Sequence, residues 1–252
     1  MSKNIINSLN DFFIAEIGTN HNQKKSLVKK MIREVAKTEC QCVKYQIYEP
    51  DEIVNKKVMA SEYGLNKYYG NISAYKMFDQ YLKTPKQWFP ELIHYATKFN
   101  LKTAVTIHGD NGLRWAIKNK PHYIKIASME LNNYDFLEQL ADLKVPLILS
   151  TGMGSFEEIS TAVTLLKDNN VKDLVILHCT SIYPSKPEII NLKNIPMLKK
   201  HFKSYAIGFS DHSEGISVPT AAIAVGACLI EKHFTLDKSQ IGMDNGMATE
   251  PD

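Results

Sequence analysis

The chain has 252 residues, 44% of them hydrophobic and 23% charged, which excludes a disordered or low-complexity segment. Lysine and arginine number 30 against 27 acidic residues, a net charge of +3; with no long basic run a nucleic-acid footprint is not indicated, and a small anionic substrate fits the mild basicity equally well. Met1 to Asn7 holds no apolar core for a secretory signal, the longest apolar stretch (221–230) falls far below the ~18 residues of a membrane span, and four cysteines without a C-x-x-C pair favour a reduced, cytoplasmic setting.

In chain order, an apolar strand over 12–17 runs into the polar stretch Glu16-Ile17-Gly18-Thr19-Asn20-His21-Asn22, and a helix over 25–38 follows. Strand 42–47 carries Lys44, Tyr45 and Gln46. A long connection, 48–84, then breaks the rhythm. It holds Tyr48, Tyr63, Tyr68, Tyr69, Tyr75 and Tyr81, and reads equally as a packed surface excursion or as a functional lid. Helix 86–100 leads to strand 101–106, which ends at Thr106. Helix 111–119 leads to strand 123–127, which runs on through Lys125, Ser128 and Glu130. Helix 134–143 precedes strand 146–149, followed by Ser150-Thr151-Gly152-Met153. Helix 156–169 has apolar residues at 159, 162, 163, 165 and 166, close to a helical period. Ser155 precedes it and Glu157 and Glu158 fill its first turn, where acids are favoured. Strand 174–178 ends in His178-Cys179-Thr180-Ser181-Ile182-Tyr183-Pro184. Helix 192–201 precedes strand 205–209 with Ser210-Asp211-His212, and helix 216–226 precedes strand 228–234 with Glu231, Lys232 and His233. Glu250, Pro251 and Asp252 read as the start of an eighth helix.

Short apolar strands alternating with helices argue for βαβ units and a parallel sheet. Eight of them over about 250 residues is the arithmetic of a (β/α)8 TIM barrel. A doubly wound open sheet competes, but no G-x-G-x-x-G follows the first strand.

Polar residues gather at the C-terminal ends of these strands. Strand side chains alternate faces, so Lys44 and Gln46, Ser128 and Glu130, Ser210 and His212, and Glu231 and His233 are same-face pairs wherever strand geometry persists. Burying such groups on strand after strand is costly in a core. Around one polar pocket at the C-terminal face, where barrel active sites lie, it is expected. His178 alone reads as a satisfied core histidine. His212 and His233 end neighbouring strands, roughly 4.8 Å apart, and two imidazoles there can share a cation, with water and substrate completing its coordination.

The blocks quoted above, with Val43-Lys44-Tyr45-Gln46, Lys125-Ile126-Ala127-Ser128-Met129-Glu130 and Gly208-Phe209-Ser210-Asp211-His212, resemble the N-acetylneuraminate (sialic acid) synthase family in order over nearly the whole chain. The resemblance implies a (β/α)8 barrel enzyme that condenses phosphoenolpyruvate with an open-chain N-acylated hexosamine, N-acetylmannosamine or a diacetamido-dideoxy sugar. The products are a 2-keto sugar acid and phosphate. It implies Mn2+ or Mg2+ on His212 and His233. Lys44, Lys125, Thr106, Ser128, Ser150 and Ser210 would hold phosphoenolpyruvate, with Ser181 near the phosphate where many members have asparagine. Glu16, Gln46, Tyr183 and Asp244 would face the sugar. Glu16, Glu130 and Glu231 are the candidate catalytic carboxylates. Two further departures stand out: Val105-Thr106-Ile107-His108 replaces the usual Ser-Thr-Pro-Phe turn and leaves only Thr106 matched, and Asn245 replaces a common histidine. The resemblance also implies a homodimer when full length, and a C-terminal antifreeze-like domain that these 252 residues lack, the barrel itself being cut before its eighth helix. Another metal-dependent pyruvate-type synthase or aldolase, and an inactive barrel that only binds ligand, are the competing readings.

Overall fold

A computed structural model describes residues 12–251; the signal-peptide reading of Met1 to Asn7 and the last residue, Asp252, lie outside the described residues. Eight strands, β1 (Phe12–Glu16), β2 (Cys42–Ile47), β3 (Lys102–Ile107), β4 (Tyr123–Ile126), β5 (Leu147–Ser150), β6 (Leu174–Cys179), β7 (Ala206–Asp211) and β8 (Leu229–His233), close into a parallel barrel in sequence order. β8 returns to β1 with Ile14 beside Glu231 and Glu16 beside His233. The barrel is the architecture that the alternation of elements predicts, with strand ends displaced by one or two residues.

Seven outer helices follow the predicted order: α1 (Lys25–Val35), α2 (Phe89–Thr97), α3 (Gly109–Asn119), α4 (Tyr134–Asp142), α5 (Phe156–Asp168), α6 (Asn194–His201) and α7 (Ser217–Ala224). Each long one is amphipathic in the simplest sense. α1 buries Val28, Met31, Ile32 and Val35, and α5 buries Ile159, Ala162, Val163 and Leu166, one stripe at i, i+3, i+4 and i+7. α5 starts with a capping box: the Glu158 N–H donates to Ser155 Oγ at 3.2 Å, and the Ser155 N–H donates to Glu158 Oε2 at 2.7 Å. After β8 the chain stays irregular apart from a 3-10 turn at Asn245–Met247. Glu250 and Pro251 are not helical. Thr249 instead bonds alongside the end of β8, donating its N–H to the His233 carbonyl at 2.7 Å and accepting from the Thr235 N–H at 3.0 Å, which holds the backbone extended there. No helix of the described residues is long and apolar enough to cross a membrane.

The barrel interior has two halves. Toward the N-terminal ends of the strands, Phe12, Ile14, Cys42, Ala104, Tyr123, Ile148, Val175, Leu177 and Leu229 form a closed apolar plug. Two residues further along the same strands, the inward positions become Lys44, Thr106, Lys125, Ser150, Cys179 and Glu231. Outward-facing residues of the same strands, such as Ala15, Val43, Val105 and Ile230, pack under the helices. One charged pair sits on that outer side: Lys232 Nζ donates to Asp211 Oδ2 at 2.6 Å and to the Ser213 carbonyl at 2.6 Å, while the Ser213 N–H and hydroxyl donate to Asp211 Oδ1 at 2.9 and 2.7 Å.

The 48–84 connection is the packed excursion of its two readings. Short helical turns fold it around its own core of Tyr48, Ala60, Leu65, Ala74, Met77, Phe78 and Leu82. Thr84 at its end bonds His21 in the β1 loop, Oγ1 to Nε2, at 2.8 Å.

Candidate active site

Parallel register stacks the polar strand ends into one layer: Glu16 beside Lys44, Gln46 beside Thr106, Thr106 beside Lys125, Cys179 beside Ser210, and Ser210 beside Glu231. They line a cavity of about 290 Å³ at the C-terminal mouth of the barrel. Of the residues expected there, Glu16, Lys44, Gln46, Thr106, Lys125, Ser128, Ser150, Ser181, Tyr183, Ser210, His212, Glu231 and His233 all contribute. No residue of 48–84 lines it, although Tyr48 packs against the cavity-lining His108.

The floor is a network of buried charges. Lys44 Nζ lies 2.8 Å from Glu16 Oε2, donates to Thr106 Oγ1 at 2.8 Å, and is 3.8 Å from Glu231 Oε1. Lys125 Nζ donates to the same Glu231 oxygen at 2.6 Å, and Ser210 Oγ donates to it at 3.1 Å. Gln46 Nε2 donates to Glu16 Oε1 at 2.7 Å. Burial alone would raise the Glu231 carboxyl, but Lys125 and Lys44 outweigh it and hold the group at about 2. Burial likewise works against the Lys44 ammonium, and Glu16 and Glu231 overcome it, raising its pKa. Lys44 therefore stays charged, answered by two carboxylates and a hydroxyl. Among the residues that line the cavity, Ser150 Oγ, Glu231 Oε2, His108 Nδ1 and His233 Nδ1 are buried and make no hydrogen bond within the protein, and Glu16 Oε2 has only its ion pair with Lys44. Buried polar atoms are satisfied as a rule.

Glycine shapes the rim. A Cβ at Gly152 would lie 2.6 Å from Ser181 Oγ and 2.9 Å from the Cys179 carbonyl. Only glycine lets the loop after β5 lie against the end of β6 while its N–H donates to Ser128 Oγ at 3.0 Å.

On the β7–β8 side, the rings of His212 and His233 lie 5.6 Å apart between centroids, and Tyr183 covers His212 at 4.0 Å. His212 Nδ1 is 2.9 Å from the Thr180 carbonyl. A carbonyl only accepts, so Nδ1 carries the proton and the lone pair rests on Nε2, the arrangement of a metal-ligating histidine. Burial first, and then His233, pull the His212 pKa down to about 3, which keeps the ring neutral. His233 Nδ1 faces Asp244 Oδ2 at 3.6 Å. The donor chemistry fits a divalent ion held by two imidazoles. Among the described residues no cluster of three or more His, Cys, Asp or Glu side chains forms a ready-made cage, so water and substrate would have to supply the other ligands.

Two expected residues stand one step back. Asp244 does not line the cavity. It accepts a hydrogen bond from Thr19 Oγ1 at 3.2 Å and stands 3.6 Å from His233 Nδ1, behind that ring. Glu130 also lies outside, because the chain leaves strand geometry after Ile126 and turns through a 3-10 helix at Ser128–Glu130. The period-two pairing of Ser128 with Glu130 therefore fails: Ser128 faces the cavity and Glu130 faces His108 and Asn133. His178 is the satisfied core histidine expected, bonded to the Ile190 carbonyl and stacked on Phe209. His108, Ala127, Met129, Met153 and Cys179 line the cavity without having been singled out. For His108 a signal existed, since it lies two residues beyond Thr106 and so continues the inward face of β3.

Comparison with known proteins bears on the fold and the family. The chain is 35% identical over 97% of its length to the N,N'-diacetyllegionaminic acid synthase of Legionella pneumophila, covering 69% of that protein. It is 32% identical over 95% of its length to the N-acetylneuraminate-9-phosphate synthase of Drosophila melanogaster, covering 64% of it. It thus spans about two thirds of the length of these curated relatives. Among solved structures, the N-acetylneuraminic acid (sialic acid) synthetase of Leptospira borgpetersenii, determined in complex with citrate, superposes with a TM-score of 0.84 at 33% identity, over 96% of this chain and 79% of that one. Residues 31–252 match the model of the NeuB family, and the chain belongs to that family.

Proposed function

We propose that this chain is a nonulosonic acid synthase, joining phosphoenolpyruvate to an open-chain N-acylated hexosamine to give a sialic-acid-like 2-keto sugar acid and phosphate. The observation that carries the reading is the buried Lys44–Glu231–Lys125 cluster sharing one cavity with the His212–His233 pair. Two ammonium groups with the hydroxyls of Thr106, Ser128, Ser150 and Ser210 suit a small, highly charged phosphate and carboxylate. The relatives' names span sialic and legionaminic acid products, and leave the choice of acceptor sugar to the fine contacts.

His212 and His233 would hold Mn2+ or Mg2+, which when bound supplies Lewis-acid polarisation of the sugar's aldehyde oxygen. The chain's own residues do the rest. Lys44 and Lys125 turn from their carboxylate partners to the incoming anion and orient its C3 toward the aldehyde carbon. Glu16, aligned by Gln46, meets sugar hydroxyls. Water must add at C2 once C3 has attacked, and Glu231 is the carboxylate placed to orient it and take its proton. At about 2 Glu231 is a poor base. Once the anion engages the two lysines, the groups that hold its pKa down are shared, and its basicity rises toward what proton transfer requires. A cytoplasmic setting goes with the reading, since none of the four cysteines is in a disulfide.

The test is phosphate release from phosphoenolpyruvate with Mn2+ and a panel of N-acyl hexosamines, with and without chelator. Sugar-dependent, chelator-sensitive release is expected. Release without sugar points to another phosphoenolpyruvate enzyme, and no release with any sugar points to a ligand-binding barrel.

A further inference from the structure

The cavity holds a third imidazole, on the side away from the histidine pair. His108 is buried, lines the cavity and sits between the end of β3 and the start of α3. Three elements fix it. Its Nδ1 faces Glu130 Oε1 at 3.6 Å, and the other Glu130 oxygen accepts from Asn133 Nδ2 at 2.8 Å. The Tyr48 ring meets it nearly edge-on, 6.4 Å between centroids. Behind it the chain turns sharply at Gly109, where φ is +55° and a Cβ would collide with the Glu52 carboxylate. Glu52 in turn accepts the Asn111 N–H at 3.0 Å.

This mounting selects what the ring can bind. The contact with His108 first, against burial, and then Asn133 hold the Glu130 carboxyl below the usual range, so Glu130 is an ionised acceptor. Nδ1 is buried with no hydrogen bond inside the protein, and the Glu130 carboxylate stands 3.6 Å from it; that neighbour favours the tautomer with the proton on Nδ1, which leaves the Nε2 lone pair open to a donor. The floor groups Lys44, Lys125, Thr106, Ser128 and Ser150 can all donate, as an anion requires. A hydrogen-bond acceptor offers nothing to a phosphate or carboxylate oxygen that carries no proton, and much to a hydroxyl or an amide N–H. A phenylalanine in this turn would have no such acceptor.

We infer that His108 is a specificity-determining residue, accepting at Nε2 a hydrogen bond from a hydroxyl or amide N–H of the acceptor sugar, with Glu130 as its positioning residue. The inference deepens the proposed function and rests on it. Three variants test it: His108→Phe keeps a ring and removes the acceptor, His108→Gln restores an oxygen near the place of Nε2, and Glu130→Gln replaces the ionised partner with a neutral amide. With N-acetylmannosamine and a diacetamido-dideoxy hexose as probes, His108→Phe should raise the KM of the preferred sugar about tenfold, the yield of one lost hydrogen bond. The KM for phosphoenolpyruvate should stay within about twofold. His108→Gln should recover most of the loss, and Glu130→Gln should shift the sugar KM in the same direction with a smaller change in kcat.

An unchanged sugar KM in His108→Phe, or an equal rise for both substrates, overturns the inference while the synthase reading stands. Wild-type protein that releases no phosphate overturns the synthase reading instead. Calorimetric titration of N-acetylmannosamine then decides His108 separately: weaker binding by His108→Phe than by wild type supports the contact, and equal or absent binding overturns it. A circular dichroism melt of each variant identifies any that fails to fold, and His108→Gln then carries the comparison.

Discussion

The two halves of the barrel interior are built from the same eight strands and differ only in which residues point inward. At the N-terminal end Phe12, Ile14, Tyr123, Ile148, Leu177 and Leu229 make a dry plug. One inward step later Glu16, Lys125, Ser150, Cys179 and Glu231 line a polar cavity. The plug draws its stability from the removal of apolar surface from water and from packing, which hardly depend on pH. The polar half costs desolvation and offsets it with ion pairs such as Lys125–Glu231, which on balance contribute little to folding. One fold thus keeps a stabilising end and a functional end within a single layer of strands.

The comparison can be broken most severely at the polar half. His233→Ala should abolish metal-dependent phosphate release while leaving the melting temperature within a few degrees, since His233 Nδ1 makes no hydrogen bond within the protein. Retained chelator-sensitive activity would sink the ligand assignment. Lys125→Ala should raise the KM for phosphoenolpyruvate roughly tenfold to a hundredfold, as loss of a charge-assisted contact does. It should also destabilise the fold by about 3 kcal/mol in urea unfolding, because Glu231 loses its nearest cation while buried. An unaltered KM would contradict the anion-binding role. In the plug, Leu177→Ala should cost about 3 kcal/mol with kcat and both KM values unchanged at low temperature. A specific loss of turnover there would show that the halves are not separable.

The smallest effect is a pH dependence confined to the polar end. His21 is held neutral, its pKa lowered to about 4 from 6.5 by burial, and its Nδ1 accepts the Gln23 N–H at 3.0 Å. A base depressed in the folded state lets the unfolded chain take the proton first. Stability is therefore complete above about pH 6.5 and declines as pH falls toward 4. His21→Gln should flatten that decline in urea titrations at pH 7, 5.5 and 4.5, and Leu177→Ala should leave its slope alone.

Much of this was legible in the chain. Strands such as Cys42–Ile47 and Leu174–Cys179 are short apolar runs between helical periods. Lys44 or Lys125 alone reads as a solvated strand-end residue, but polar groups repeated on strand after strand are too costly for a plug and together point to a pocket. Legibility ended where strand geometry ended. Glu130 looked like a cavity residue because period two was carried past Ile126 into a 3-10 turn. Asp244 lies eleven residues beyond β8, and only the folded loop shows that it stands behind His233. The excursion after β2 was ambiguous because its apolar residues follow no single period; several short turns share one small core.

The outer pair of Lys232 with Asp211 has a bearing on how the barrel closes. On β8, Glu231 points inward to Lys125 and Lys232 points outward to Asp211, so two adjacent residues carry opposite charges to opposite faces. A slip of β8 by one residue would exchange the faces. Lys232 would then enter the cavity beside Lys44 and Lys125, crowding three ammonium groups together, and Glu231 would be driven into the apolar layer beneath the helices. A closure of the ring out of step by one residue is thereby penalised twice over, once for each of the two neighbouring charges.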